Sequence, residues 1–135
     1  MLYNIGEKNT DSVFRRSFSI LLLPLILITH RSQPFLTAPE IQQIKEKLLY
    51  FLGNEKDLRG FVSEKGWAHS IAHAADALDD LAQCSELSKI NLAEILEAIR
   101  NVICVKDTGY IHGEDERIGW YNENCVKREG VLVSL

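Results

Sequence analysis

No GxSxG, GxxxxGKS/T or GxGxxG pattern occurs in this chain. A serine nucleophile elbow and a phosphate-cradling glycine loop therefore have no basis in its sequence. Cysteine is sparse. Cys84, Cys104 and Cys125 are odd in number, widely spaced and without a CxxC pair. That excludes a disulfide framework and fits a reducing cytoplasm. Cys84 and Cys104 fall in helical patterns, as small core residues do. Basic charge is also short. Residues 1–60 carry eight Lys/Arg against six Asp/Glu, but residues 61–135 carry seven against thirteen, for a net charge of −4. A nucleic-acid backbone would need a basic stripe, which is missing. The acidic half suits a cation, a basic peptide or a metal, or is simply solvated surface.

A targeting signal is not expected either. Arg15-Arg16 followed by Ser17–Thr29 resembles the charged and apolar regions of a signal peptide. The arginines are not at the extreme N-terminus, no small-residue cleavage site follows, and Pro24 interrupts the apolar run. As a helix this run reaches roughly 20 Å, against about 30 Å of hydrocarbon in a bilayer. A buried helix and no membrane span is the expectation.

What is present is ordinary for one soluble domain: 135 residues, 46% hydrophobic and 25% charged, enough for a modest core. Four helices follow from periodicity and capping. The first runs from the Thr10-Asp11-Ser12 cap to about Thr29. Its residues 20–28 are apolar all round, so it is expected to be buried on several sides and kinked at Pro24. His30–Pro34 then reads as a linker. The second starts at Thr37-Ala38-Pro39-Glu40, a capping box with proline in the first turn, and ends at Gly53-Asn54. Residues 54–65 read as a charged loop with at most one turn of helix. The third helix spans about Trp67 to Cys84, and the fourth about Asn91 to Val105, with Asn91 and Glu94 at capping-box spacing. Residues 118–135 show no clear period and read as an atypical tail.

Chemistry concentrates on the third helix. Offsets of +4, +7 and +11 from His69 bring His73, Asp76 and Asp80 back to within roughly 40° of it. Trp67, Ile71, Ala74, Ala75, Leu78, Leu81 and Ala82 lie opposite. Two histidines at i, i+4 with Asp76 one turn on can hold a divalent transition metal. HxxxH lacks the glutamate of HExxH, however, and further ligands would have to come from His112, Glu114 or Asp115. The plainer reading has His69 and His73 bonded to loop groups or neighbouring aspartates, orienting the fold. Asp76 and Asp80 repel each other mildly at this spacing, and Arg59 or Arg117 can pair with them. Arg59 can bind an anion at the helix N-terminus; an ion pair with Asp57, Asp76 or Glu114 is the simpler expectation. Trp67, on the apolar stripe, is expected in the core, with an exposed stacking platform as the alternative.

Ile5-Gly6-Glu7, Arg16-Ser17-Phe18-Ser19, Glu55-Lys56-Asp57-Leu58-Arg59-Gly60, the block Lys65-Gly66-Trp67-Ala68-His69-Ser70-Ile71-Ala72-His73-Ala74-Ala75-Asp76, and Glu114-Asp115-Glu116-Arg117 occur in a distinctive order. In these the chain resembles the bacterial domain-of-unknown-function family 2785 over about residues 5–118. The resemblance implies an all-helical stack similar to HEAT-like repeats. The family has no established activity, so it implies no mechanism. Its members are usually longer, so the resemblance implies a shortened member, expected to be part of a longer helical-repeat domain, whose uncovered helix faces would be prone to self-association.

The expectation is therefore one all-α domain over residues 1–135, a right-handed stack of antiparallel helix hairpins of HEAT-like, α-α superhelix type, in the cytoplasm. The leading functional expectation is a non-catalytic scaffold or interaction module with protein partners. The rival is a metal-dependent, hydrolase-like enzyme. In it His69, His73 and Asp76 hold the ion, Asp80 or Asp115 acts as base, and Arg59 or Arg117 steadies an anionic substrate.

Overall fold

A computed structural model describes residues 1–103, and they are mostly helical. The elements are α1 (Ser12–Leu21), α2 (Leu23–Ser32), α3 (Ala38–Asn54), β1 (Phe61–Val62), β2 (Gly66–Trp67), α4 (Ser70–Ala82) and α5 (Lys89–Ile103). The expected tail at 118–135 lies outside the described residues.

The expected first helix is two. Leu22 separates α1 from α2, and Pro24 is the second residue of α2. A proline there cannot donate to the carbonyl four residues back, and its ring crowds that carbonyl. The break thus comes two residues before the proline. The second piece continues through His30 and Arg31 to Ser32, so these two residues end a helix rather than forming a linker.

α3 starts as its sequence dictates. The Thr37 hydroxyl accepts from the Glu40 N–H, and the Glu40 carboxylate accepts from the Thr37 N–H at 2.7 Å. These bonds from Thr37, backbone first and hydroxyl second, hold the Glu40 carboxyl below the ordinary glutamate range. For α5 the box is shifted by three residues from the expected one. Asn91 accepts from the Ser88 N–H, and Ser88 accepts from the Asn91 N–H. Ser88 is therefore the cap, and the helix starts before Asn91.

The stretch expected to be loop contains a small antiparallel hairpin, with Phe61 paired to Trp67 and Val62 to Gly66. Gly66 at φ +92° and Glu64 at φ +63° provide the left-handed backbone that the tight turn demands. The hairpin delays the next helix, so α4 begins at Ser70 and not at Trp67.

α4 is the centre of the fold, packing against α1, α2 and α3, while α5 packs against α3. Ala72, Ala74, Ala75, Ala77 and Ala82 are buried along it. Their small side chains let three neighbours approach one helix closely, and Ile71, Leu78 and Leu81 fill the gaps between them. Ser17 meets Ala68 and His73, and Arg31 meets Asp80, so α4 runs in the same direction as α1 and α2. Arg16 meets Glu55 just past the end of α3, so α3 runs the opposite way. Lys45 pairs with Glu94, and Leu52 lies with Ile99 and Val102, so α5 follows the direction of α3.

Candidate functional site

Of the four residues of the expected stripe, His73, Asp76 and Asp80 lie in α4 at spacings that keep them on one face, and His69 does not. His69 precedes α4 as its N-cap, with φ 46° and ψ 37°, a left-handed conformation. Its ring stacks on Trp67 at 4.5 Å with the planes 17° apart. Trp67 is 49% exposed, so it is the stacking platform and not a core residue. The reason is local. In β2 it pairs across to Phe61, and the two rings meet edge to face at 5.1 Å on the outer side of the hairpin.

His73 is on α4 and turns toward α1. Its Nδ1 lies 2.8 Å from the Ser17 hydroxyl, which donates its own proton to the Ala68 carbonyl. A hydroxyl has one hydrogen to give. His73 must therefore be the donor, carrying its proton on Nδ1. Its ring centroid is 6.3 Å from that of His69 and 6.4 Å from that of Phe18.

Asp80 is drawn to α2, with Oδ1 2.9 Å from Arg31 Nη2, while Arg31 also donates to the Asp80 carbonyl. Partial burial raises the Asp80 carboxyl above the ordinary aspartate range. Arg31 opposes the rise, and the charges of Asp79 and Asp76 add to it. The partner is thus Arg31, not Arg59 as the sequence spacing allows. Among the described residues no three His, Cys, Asp or Glu side chains gather as a metal ion would require. A metal held by His69, His73 or Asp76 would need donors from beyond them. Asp115 and Arg117, with His112 and Glu114, lie outside the described residues.

Arg59 takes the simpler of its expected roles. It forms a two-pronged pair with Asp57, both contacts at 2.7 Å, and donates to the Thr10 carbonyl. Asp57 is buried and also accepts from the Asn9 N–H. The Asp57 partner raises the Arg59 guanidinium further above its usual value.

Sequence reasoning missed the ion pair beside it. Arg16 Nε lies 2.7 Å from Glu55 Oε2, with both side chains fully buried. Arg16 also donates to the carbonyls of Tyr3 and Asn4 and to the Ser12 hydroxyl. Glu55 accepts from the N–H groups of Lys56 and Asp57. An arginine in an otherwise apolar stripe was the signal that could have revealed it. The family-like segments therefore meet one another: Arg16-Ser17 touches both Glu55 and the Ala68–His73 block.

The second missed feature is a surface. Of the apolar run 20–28, only Ile20 and Leu27 are fully buried. Leu22 is 58% and Leu25 63% exposed, and Phe18, Leu21, Ile26 and Ile28 are exposed too. The helix is therefore not buried on several sides. It has one inner face, against α4, and the rest of its apolar surface faces out. By length and composition alone, the segment Ser12–Ser32 is apolar enough to cross a membrane. From Phe18 the surface continues through the rings of His73, His69, Trp67 and Phe61.

No curated protein and no solved structure matches this chain. The model of one family, proteins of unknown function DUF2785, matches residues 1–132, past the expected end of the resemblance at residue 118, and the chain belongs to that family.

Proposed function

We propose that this chain is a non-catalytic, cytoplasmic helical-repeat module that docks proteins through the outer face of α1 and α2 and the aromatic ridge beside it. The observation that carries the reading is the exposure of Phe18, Leu22 and Leu25 on a helix whose other side is already packed. Large contiguous apolar patches on soluble proteins mark interaction sites, and aromatic side chains of the Trp67 and Phe61 kind anchor such contacts. The helix directions support a HEAT-like arrangement. α3 runs opposite to α1 and α2, and α5 opposite to α4, which are the directions that a stack of antiparallel hairpins needs. A hairpin in a stack of this kind buries its apolar face only where a neighbour covers it. Among the described residues, three of the polar groups that the enzyme reading would use are engaged in holding the fold: Arg59 by Asp57, Asp80 by Arg31, and His73 by Ser17.

The reading is tested in cells with a photo-crosslinking amino acid at Trp67. Defined adducts are expected with the intact face and not with Leu22→Glu/Leu25→Glu, whose exposed substitutions leave the fold intact. Adducts unchanged by those substitutions would defeat it. So would a near-stoichiometric transition metal that purifies with the untagged protein and disappears in His69→Ala/His73→Ala.

A further inference from the structure

We propose that the occupant of the α1–α2 face is a second copy of this chain, related by a two-fold axis passing near Leu22 and Leu25. The proposal rests on the docking reading above and adds the identity of the partner.

Area is the first argument. Phe18, Leu21, Leu22, Leu25, Ile26 and Ile28 together leave roughly 500 Å² of apolar side chain in water, near the upper end for a monomer surface. A standard interface takes about 800 Å² from each partner, and homodimer interfaces are about 65% apolar. Each subunit must then contribute about 500 Å² of apolar surface, an amount this face supplies by itself. Trp67 and Phe61 extend it at one end.

Charge is the second argument. No Asp, Glu, Lys or Arg occurs between Arg16 and Arg31. Two copies of the face meet without like charges opposed, which any self-pairing surface must achieve. The flanking cations are occupied: Arg31 is paired with Asp80, and the Arg15 guanidinium sits 4.1 Å from the centre of the Tyr3 ring. A lipid surface is the less suitable occupant. Helices that lie in a membrane interface carry a basic border attracted to anionic headgroups, whereas this chain is net acidic, with Asp76, Asp79 and Asp80 near Arg31. The exposed residues run from Phe18 to Ile28, so their midpoint falls at Leu22–Leu25. An isologous contact brings the midpoint of a face onto itself.

Sedimentation equilibrium of the full chain tests this. The intact protein is expected to be a dimer, and Leu25→Glu and Leu25→Lys are each expected to be monomers with unchanged helical circular dichroism. A one-to-one mixture of these two variants is expected to regain dimer mass, because the opposite charges meet near the axis. A monomeric intact chain at about 100 µM, where an interface of this size should be well populated, would overturn the proposal. A dimer that survives both Leu25→Glu and Leu22→Glu would also overturn it, as would failure of the mixture to associate. If the intact monomer binds neutral phosphatidylcholine vesicles through this face, the occupant is lipid instead. Crosslinked adducts at Trp67 with other proteins, with the chain monomeric, would sink the dimer while leaving the docking reading standing.

Discussion

Arg16 and Glu55, 39 residues apart in sequence, form an ion pair from which solvent is entirely excluded. It ties the middle of α1 to the residue just past α3, and its remaining hydrogen-bonding capacity goes to the Ser12 hydroxyl and to the backbone of residues 3–4 and 56–57. Removing one partner leaves a buried, uncompensated charge, which costs about 3–5 kcal/mol. Glu55→Gln and Arg16→Met are each expected to lose that much in urea denaturation. Arg16→Met should be the worse, because the carbonyls of Tyr3 and Asn4 also lose their donor. A loss under about 1 kcal/mol for both, comparable to an exposed pair, would contradict the buried geometry.

The helices were legible because their signals are local. Thr37 and Glu40 sit three residues apart, and the capping box they announce is the one that forms. Periodicity also placed Ile71, Ala74, Ala75, Leu78 and Leu81 on the inner side of α4. The site was misread where the answer depended on distant chain. The stripe from His69 to Asp80 assumed a helix already started at Trp67. The Phe61–Trp67 pairing, set by the turn at Glu64–Gly66, prevents this. The choice of Arg31 over Arg59 as partner of Asp80 depends on α2 and α4 running in the same direction, which no spacing encodes. An all-round apolar helix reads alike whether its outer side meets another helix of the same chain or a different molecule. That is why residues 20–28 suggested burial where the fold shows a surface.

The Ser17 hydroxyl, giving its proton to Ala68 and receiving one from His73, fixes the imidazole as the Nδ1–H tautomer. Nitrogen-15 NMR of the ring should report this form at pH above the histidine titration. In Ser17→Ala the preference should relax, at a cost of about 1 kcal/mol for the lost buried bond. An Nε2–H tautomer in the intact chain would remove the structural role given to His73.

Asp80 should make stability depend on pH in an unusual sense for a carboxylate. Its folded-state value is raised, first by burial and then by Asp79 and Asp76, against the pull of Arg31. The stability it contributes is thus fully present below the unfolded aspartate range, and is lost as pH rises through the raised folded value. Asp80→Asn cannot ionise, so its stability relative to the parent should rise from pH 3 to pH 7. At pH 7 it should lie within about 1 kcal/mol of the parent, since the Arg31 bond to the residue 80 carbonyl survives. Arg31→Met at the same pH should cost about 1–3 kcal/mol by leaving that carboxylate unpaired beside two others. A parent-to-variant gap that widens in favour of Asp80 with rising pH would reverse the assigned sign.

His69 offers the sharpest distinction between a backbone role and a ligand role, because its left-handed φ of 46° carries its own cost. A side chain there is strained by about 1–2 kcal/mol, and glycine is not. Three replacements separate the contributions. All of them lose the ring stacked on Trp67, so in a Trp120→Phe background each should change Trp67 emission similarly. They differ in backbone tolerance. His69→Gly should be the most stable, His69→Asn next, and His69→Val at least about 1 kcal/mol below glycine, since β-branched residues are the least tolerant of this region. That order, read from urea midpoints, would mark the position as a helix-entry turn with a stacking platform attached. Equal stability of valine and glycine would show that the backbone before α4 is not left-handed, and would return His69 to the helix and to the shared face with His73 and Asp76.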